Sequence, residues 1–262
     1  MVQFVVGANW KMKKGIKESI ETAKSMVEAL KGIDNVGIFI APSYTSLKDL
    51  GEIFQGTNIK LAGQNMNEND SGAYTGEISP DWLLEVGCEY VILGHSERRR
   101  VYNESSELIN KKVLKALKKG LKPVLCIGET AIERNEGKAE EVNAQQLEIS
   151  LKDVNAEQMK EFVIAYEPVW AINSRALNPT GEIKSATPEQ AKEMHVFIRK
   201  WLREKFGAEI GNSIPLQYGG SVKAHNCEDL FNIEDINGGL VGSASLTVDA
   251  FAPIIKTASK LG

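Results

Sequence analysis

Cysteine is scarce in this chain of 262 residues and placed for no structural task. Cys88, Cys126 and Cys227 are odd in number and form no Cys-x-x-Cys pair, which excludes a disulfide framework and a zinc site and leaves reduced, buried thiols. Histidine is equally sparse: His195 falls in a helical pattern, His225 follows a glycine-rich loop, and neither has a partner at ligand spacing. Both read as structural or surface residues, and no metal is expected. No apolar run approaches the ~18 residues that span a bilayer. The opening MVQFVVGANWK enters a strand pattern without a charged leader or cleavage site, so a cytoplasmic location is expected. A block of one charge is missing too. The 31 basic and 35 acidic residues are dispersed, with a net charge of −4, which argues against nucleic acid or an anionic membrane as partner and for a small soluble ligand. With no low-complexity linker or charge run to divide it, the chain is expected to form one domain over residues 1–262.

What is present is alternation. Short apolar, β-branched runs recur at 3–9, 36–41, 59–64, 89–94, 123–128, 162–167, 215–219 and 238–242, separated by stretches with helical spacing such as 16–31, 104–119, 139–151 and 188–206. Runs apolar on both faces suit parallel strands covered by helices, and eight such units close into a (β/α)8 barrel. A doubly wound open sheet is the alternative. It would normally carry a glycine-rich fingerprint after the first strand, which GANWK is not.

In such a barrel the chemistry collects at the C-terminal ends of the strands. Asn9 and Lys11 end the first run, His95 and Glu97 the fourth, Glu129 the fifth and Glu167 the sixth; Gly220 and Ser221 follow the seventh, Gly242 and Ser243 the eighth. Charged or ionisable groups that end strongly apolar strands are costly unless hydrogen-bonded or exposed in a cleft, which singles out VILGHSE and VIAYEPVW. The loops YGGSV and VGSAS combine small residues with helix starts, where backbone N–H groups can approach an anion. Each alone is a tight turn; the pair on adjacent strands points to phosphate. Taken alone, GANWK carries an ordinary strand-end lysine, and Cys126 reads as a packed thiol.

These segments, GANWKM at 7–12, SGAYTGEISP at 71–80, GHSERR at 94–99, CIGET at 126–130, YEPVWAI at 166–172, QYGGSV at 217–222 and VGSASL at 241–246, resemble the triosephosphate isomerase family in order and spacing over essentially the whole chain. The resemblance implies an eightfold barrel, a homodimer and no cofactor. It implies that glyceraldehyde 3-phosphate and dihydroxyacetone phosphate interconvert through an enediolate, with Glu167 as base, His95 as electrophile, and Lys11 and Asn9 around the carbonyl. The family is a standard illustration of a carboxylate base beside a neutral imidazole under a closing loop, so these roles come with the resemblance. What the sequence adds is that His95 opens the SERR helix, whose positive end would keep the imidazole neutral, while Lys11 stays charged to attract a dianion. The resemblance also docks the loop around Thr75 into a second subunit, pairs Thr75 with that subunit's Glu97, joins Glu77 to Arg98 across the interface, and makes Trp170 a lid or packing residue.

Two departures stand out. After YEPVWAI the family reads GTGKTATPE, whereas this chain reads NSRALNPTGEIKSATPE. Counting back from Ala186-Thr187-Pro188 makes 173–180 an insertion of eight residues in the lid and gives the phosphate contact to Gly181; counting forward from Glu167 gives it to Asn173. Gly181 is preferred, because KSA follows it as KTA does in the family and glycine tolerates an anion-binding turn. Ser243 replaces the usual second glycine, and a positive φ there would cost on the order of 1 kcal/mol. A lid-altered homologue that binds phosphorylated ligands with little turnover is the competing reading, but it has no use for a base opposite an electrophile.

Overall fold

The computed structural model describes residues 4–172, 174, 176, 177 and 186–262. Eight parallel strands form a closed barrel in sequence order: β1 (Phe4–Asn9), β2 (Val36–Ala41), β3 (Ile59–Gly63), β4 (Cys88–Leu93), β5 (Lys122–Ile127), β6 (Val163–Tyr166), β7 (Leu216–Tyr218) and β8 (Gly238–Val241). The expected eightfold barrel is found, with strand limits displaced by at most one residue. Around it, in chain order, lie helices α1 (Ile16–Ala29), α2 (Leu47–Phe54), α3 (Pro80–Glu85), α4 (Ser96–Val101), α5 (Ser106–Lys119) and α6 (Ala131–Asn135). They are followed by α7 (Ala139–Ser150), α8 (Pro188–Phe206), α9 (Ala208–Ser213), α10 (Cys227–Phe231) and α11 (Val248–Leu261).

Local chemistry explains where the helices start. The Ser105 hydroxyl accepts the Leu108 N–H, so α5 begins at Ser106 rather than at 104. Thr130 with Glu133, and Thr187 with Gln190, form reciprocal capping boxes, the latter ahead of Pro188 in the first turn of α8. Each such cap contributes about 1 kcal/mol.

The strand period of two sorts the core into two layers. Val5, Phe39, Ala62, Ile92, Val124, Cys126, Val163, Ala165 and Leu240 pack together inside the barrel. Their alternates, among them Val6, Ala8, Ile38, Ile40, Val91, Leu125 and Ile164, pack outward against the helices. Closure depends on β8 lying against β1 with Val5 opposite Gly238. Gly238 has φ of +125°, and a Cβ there would run into the Val5 carbonyl, so only glycine fits this seam. Cys126 faces the barrel interior and is fully buried, in keeping with a packed thiol.

His195 lies wholly buried in α8, edge-on to Tyr166 at 5.6 Å between ring centroids. Its Nδ1–H donates to the Ala191 carbonyl at 2.8 Å, while Nε2 is buried and has no hydrogen-bond partner among the described residues. Burial lowers its pKa to about 4, against the weaker opposing pull of the Ala191 and Gln217 backbone. The unfolded chain therefore binds a proton at His195 between its free value of ~6.5 and about 4 while the folded chain does not. Stability from this group is fully present above pH ~6.5 and is lost as pH falls towards 4, by about 3 kcal/mol at most, given ~1.4 kcal/mol per pH unit. Urea unfolding at pH 7 and pH 4.5 should show a smaller acid-induced loss for His195→Gln than for the parent chain. Equal losses would mean that His195 is not the buried acid-sensitive group.

Candidate active site

The strand parity that fills the barrel also delivers the polar groups. Asn9 continues the inward series of Val5 and Gly7, and Glu167 continues that of Val163 and Ala165, so both point into the C-terminal mouth. One cavity there is lined by Asn9, Lys11, His95, Glu167, Ser221, Gly242 and Ser243. Seven of the residues singled out from the sequence are thus brought together. Gly181 and its alternative Asn173 lie outside the described residues.

Lys11 has a left-handed backbone, φ +52°, which costs a lysine on the order of 1 kcal/mol or more. Hydrogen bonds hold it there: its N–H donates to Asn9 Oδ1 at 3.0 Å, and its carbonyl accepts from Gln64 Nε2 at 2.8 Å. Because Asn9 spends its oxygen on that turn, its amide NH2 is left as a donor. The fixed turn aims Lys11 Nζ at Glu97 Oε1, 2.9 Å away.

His95 is the N-cap of α4, and its Nδ1 accepts the Glu97 N–H at 3.2 Å. A nitrogen that accepts cannot also carry a proton, so the ring is the neutral Nε2–H tautomer. Glu97 Oε2 stands 3.7 Å from Nδ1, beyond hydrogen-bond reach. The free proton on Nε2 points at Glu167 Oε1, 3.0 Å away. The other carboxylate oxygen, Oε2, accepts the Ser96 N–H at 2.7 Å. Glu167 is nearly inaccessible to solvent, and burial alone would raise its pKa. The neighbouring His95 proton, the Ser96 N–H and the Lys11 charge outweigh burial and lower it, so the carboxylate is ionised. Gly219 closes the floor beneath it: a Cβ there would stand 2.7 Å from Glu167 Cγ.

Opposite these groups, Gly219 and Gly220 after β7 and Gly242 after β8 bring small residues and bare backbone to the cavity wall. Trp10 Nε1 donates to the Ser245 carbonyl at 3.0 Å, and Ser245 Oγ donates to the Gly242 carbonyl, which anchors the strand-eight loop to the end of β1. Ser243 opens a short 3-10 turn, and among the described residues the non-glycine ones with positive φ are Lys11, Lys14, Asn103, Asp153 and Asp235. The cost that a positive φ at Ser243 would carry therefore does not arise, because its φ is not positive.

Glu129 takes a different place from the other strand-end acids. It points outward from the barrel, fully buried, and accepts from Tyr166 Oη at 2.9 Å, Trp170 Nε1 at 2.9 Å, Arg134 at 3.1 Å and Asn143 at 3.0 Å. With the Arg134 guanidinium 5.1 Å from the Trp170 ring centre, it tethers the segment that follows Glu167. Gln64, Ser96, Lys13 and Lys223 escaped the sequence reading. Gln64 and Ser96 act through hydrogen bonds that residue type does not announce, although Gln64 does stand at a strand end. Lys13 and Lys223 line the cavity yet sit in ordinary polar stretches. Among the described residues no three His, Cys, Asp or Glu converge as metal ligands would, and no helix is long and apolar enough to cross a membrane.

Fold and site together define a (β/α)8-barrel enzyme of the proton-transfer kind, with a buried carboxylate, a neutral imidazole donor and a lysine at one end of a small polar cavity. Residues 4–258 match the family model "Triosephosphate isomerase", and the chain belongs to that family. It is 46% identical over 256 residues to the triosephosphate isomerase of Fusobacterium nucleatum, covering 98% of this chain and 99% of that one. The Chloroherpeton thalassium enzyme is also 46% identical, over 257 residues and 98% of each chain. Among solved structures, that of triosephosphate isomerase from Bartonella henselae superposes with a TM-score of 0.86 at 36% identity, covering 98% of this chain and 99% of the other.

Proposed function

We propose that the chain interconverts D-glyceraldehyde 3-phosphate and dihydroxyacetone phosphate, as a single-domain barrel acting in the cytoplasm without a cofactor. The observation that carries this reading is the contact of Glu167 with His95 Nε2 at 3.0 Å, a carboxylate base and a neutral hydrogen-bond donor side by side in one cavity. The substrate phosphate lies against the backbone of the loops after β7 and β8, around Ser221, Gly242 and Ser243, leaving the carbonyl among Lys11 Nζ, Asn9 Nδ2 and His95 Nε2. Glu167 exchanges its present partners for the carbon-bound proton. Removing that proton moves an electron pair onto the carbonyl oxygen, whose negative charge the three donors stabilise. The same carboxyl group returns the proton to the neighbouring carbon, and hydroxyl protons redistribute between the two oxygens, so nothing is oxidised or reduced overall. Glu167→Asp keeps the charge but withdraws it by one methylene, a displacement near 1 Å that should lower kcat ~10²-fold and change KM much less. A coupled assay of triose-phosphate turnover measures both. An unchanged kcat removes Glu167 from the role of base, and a parent chain that binds phosphate without turnover supports the lid-altered alternative instead.

The active form is a homodimer. Met12, Tyr74, Tyr102 and Val101 expose 95, 47, 62 and 44% of their surface, an apolar set that a second copy would cover. The loop around Thr75 docks into the second subunit near its Lys11 turn. Within one chain Arg98 is engaged by Glu104 and Glu77 by Asn67, so the bond from Glu77 to Arg98 of a second subunit would add to these. Thr75→Arg should weaken association and activity together. Sedimentation that finds an intact, fully active dimer of this variant would refute the docking.

The lid carries eight added residues, 173–180, and Gly181 takes the phosphate contact. Loop length costs closure entropy only logarithmically, so the insertion is tolerated. Within 173–180, Ser174 Oγ donates to Glu97 Oε1 at 3.2 Å. Deleting 173–180 should leave turnover equal or faster, with no added loss of enediolate to phosphate elimination. An inactive but folded deletion variant would place the phosphate contact within 173–180.

A further inference from the structure

The inner charges of the cavity do not by themselves favour a doubly charged anion. Lys11 is compensated by Glu97 at 2.9 Å, Glu167 is ionised, and His95 is neutral because its Nδ1 accepts a backbone N–H. Counted together, these groups leave one net negative charge beside the reacting atoms. The chain as a whole adds to the difficulty with its net charge of −4. Backbone N–H groups of the glycine loops supply only partial positive charge.

Two further cations line the same cavity, Lys13 and Lys223. Lys13 lies two residues beyond Lys11 in the loop after β1, and Lys223 two beyond Ser221 in the loop after β7. Strands β7 and β1 flank β8 on either side, so the two lysines bracket the loop that carries Gly242 and Ser243. Both side chains are exposed, and among the described residues neither forms an ion pair. This sets them apart from Lys14, which is bonded to Thr22 and stands over the Trp10 ring, and from Lys11. Together they turn the local balance from one net negative charge to one net positive charge.

We infer that Lys13 and Lys223 form a cationic rim that gives the cavity its selectivity for dianionic over uncharged ligands. The inference rests on the phosphate reading above and names residues that the proton-transfer chemistry does not use. The rim acts through solvent across several ångströms, so its effect is long-ranged and screened by salt, with a Debye length of ~30 Å at 0.01 M and ~3–4 Å near 0.7 M ionic strength. Its energy belongs to capture and retention of the anion and so appears in KM and the encounter rate.

The test is the double variant Lys13→Gln/Lys223→Gln. At ~0.01 M ionic strength its ratio of kcat/KM for triose phosphate over unphosphorylated glyceraldehyde should fall about tenfold, carried by KM, and the deficit should close near ~0.7 M. Lys13→Arg/Lys223→Arg should restore the ratio. Lys31→Gln/Lys256→Gln, which removes the same charge from exposed sites outside the cavity, should leave the ratio as in the parent. Binding of inorganic phosphate, titrated by calorimetry, should weaken in parallel for the first variant only. A deficit that ignores salt, that is shared equally with glyceraldehyde, or that the distant pair reproduces overturns the rim. Phosphate titration needs no turnover, so a chain that failed to isomerise would defeat the proposed reaction while this arm still decided the rim.

Discussion

Closure of the sheet between β8 and β1 is the constraint on which the rest of the molecule depends. An open parallel sheet would leave two unpaired edges and no common mouth. Here Val5 faces Gly238, and the inward series of every strand is fixed relative to its neighbours. Fixing parity around the ring places Phe39, Ile92, Val124 and Cys126 in one interior layer, and it brings Asn9 and Glu167 to the same rim from strands that are far apart in sequence.

A site at that rim must hold charge where water is scarce. It does so by pairing and capping. Glu167 is nearly inaccessible, yet two N–H groups and the nearby Lys11 keep it ionised. His95 is kept neutral by the Glu97 N–H at the head of α4, and it turns its remaining proton towards the carboxylate. The strained turn at Lys11 survives because Asn9 and Gln64 secure both ends of the same residue. Such an arrangement is prepared before any ligand arrives, so less reorganisation is left for the reacting step. In the proposed reaction its cost is that Glu167 gives up the hydrogen bonds from His95 and Ser96.

Outside the cavity the same logic supports the frame. Glu129 turns away from the barrel and collects four donors, one of them Trp170 in the segment that follows Glu167. His195, in α8 against Tyr166 and Tyr218, is held neutral chiefly by burial, which ties the frame's stability to pH. Arg199, almost wholly buried, donates to Asp235, Asn237 and the carbonyls of Gly211 and Ile214, and so binds α8 and α9 to the loop before β8.

The sequence by itself determined whatever depends on near neighbours and residue type. Apolar runs marked the strands to within one residue, Ser105, Thr130 and Thr187 were present to start their helices, and His95 and Glu167 stood out because ionisable groups rarely end buried strands. Tertiary structure decided the rest. It gave Lys11 to Glu97, set the Ser96 N–H on Glu167, put Gln64 behind the Lys11 turn, and sent Glu129 to the outer face although it follows its strand much as Glu167 does. It removed the strain expected at Ser243, and it brought Lys13 and Lys223 to one mouth. The reason is physical. Propensity and capping act over a few residues and are written in local order, whereas these partners lie up to hundreds of residues apart and meet only when register and closure of the barrel fix which way each side chain points.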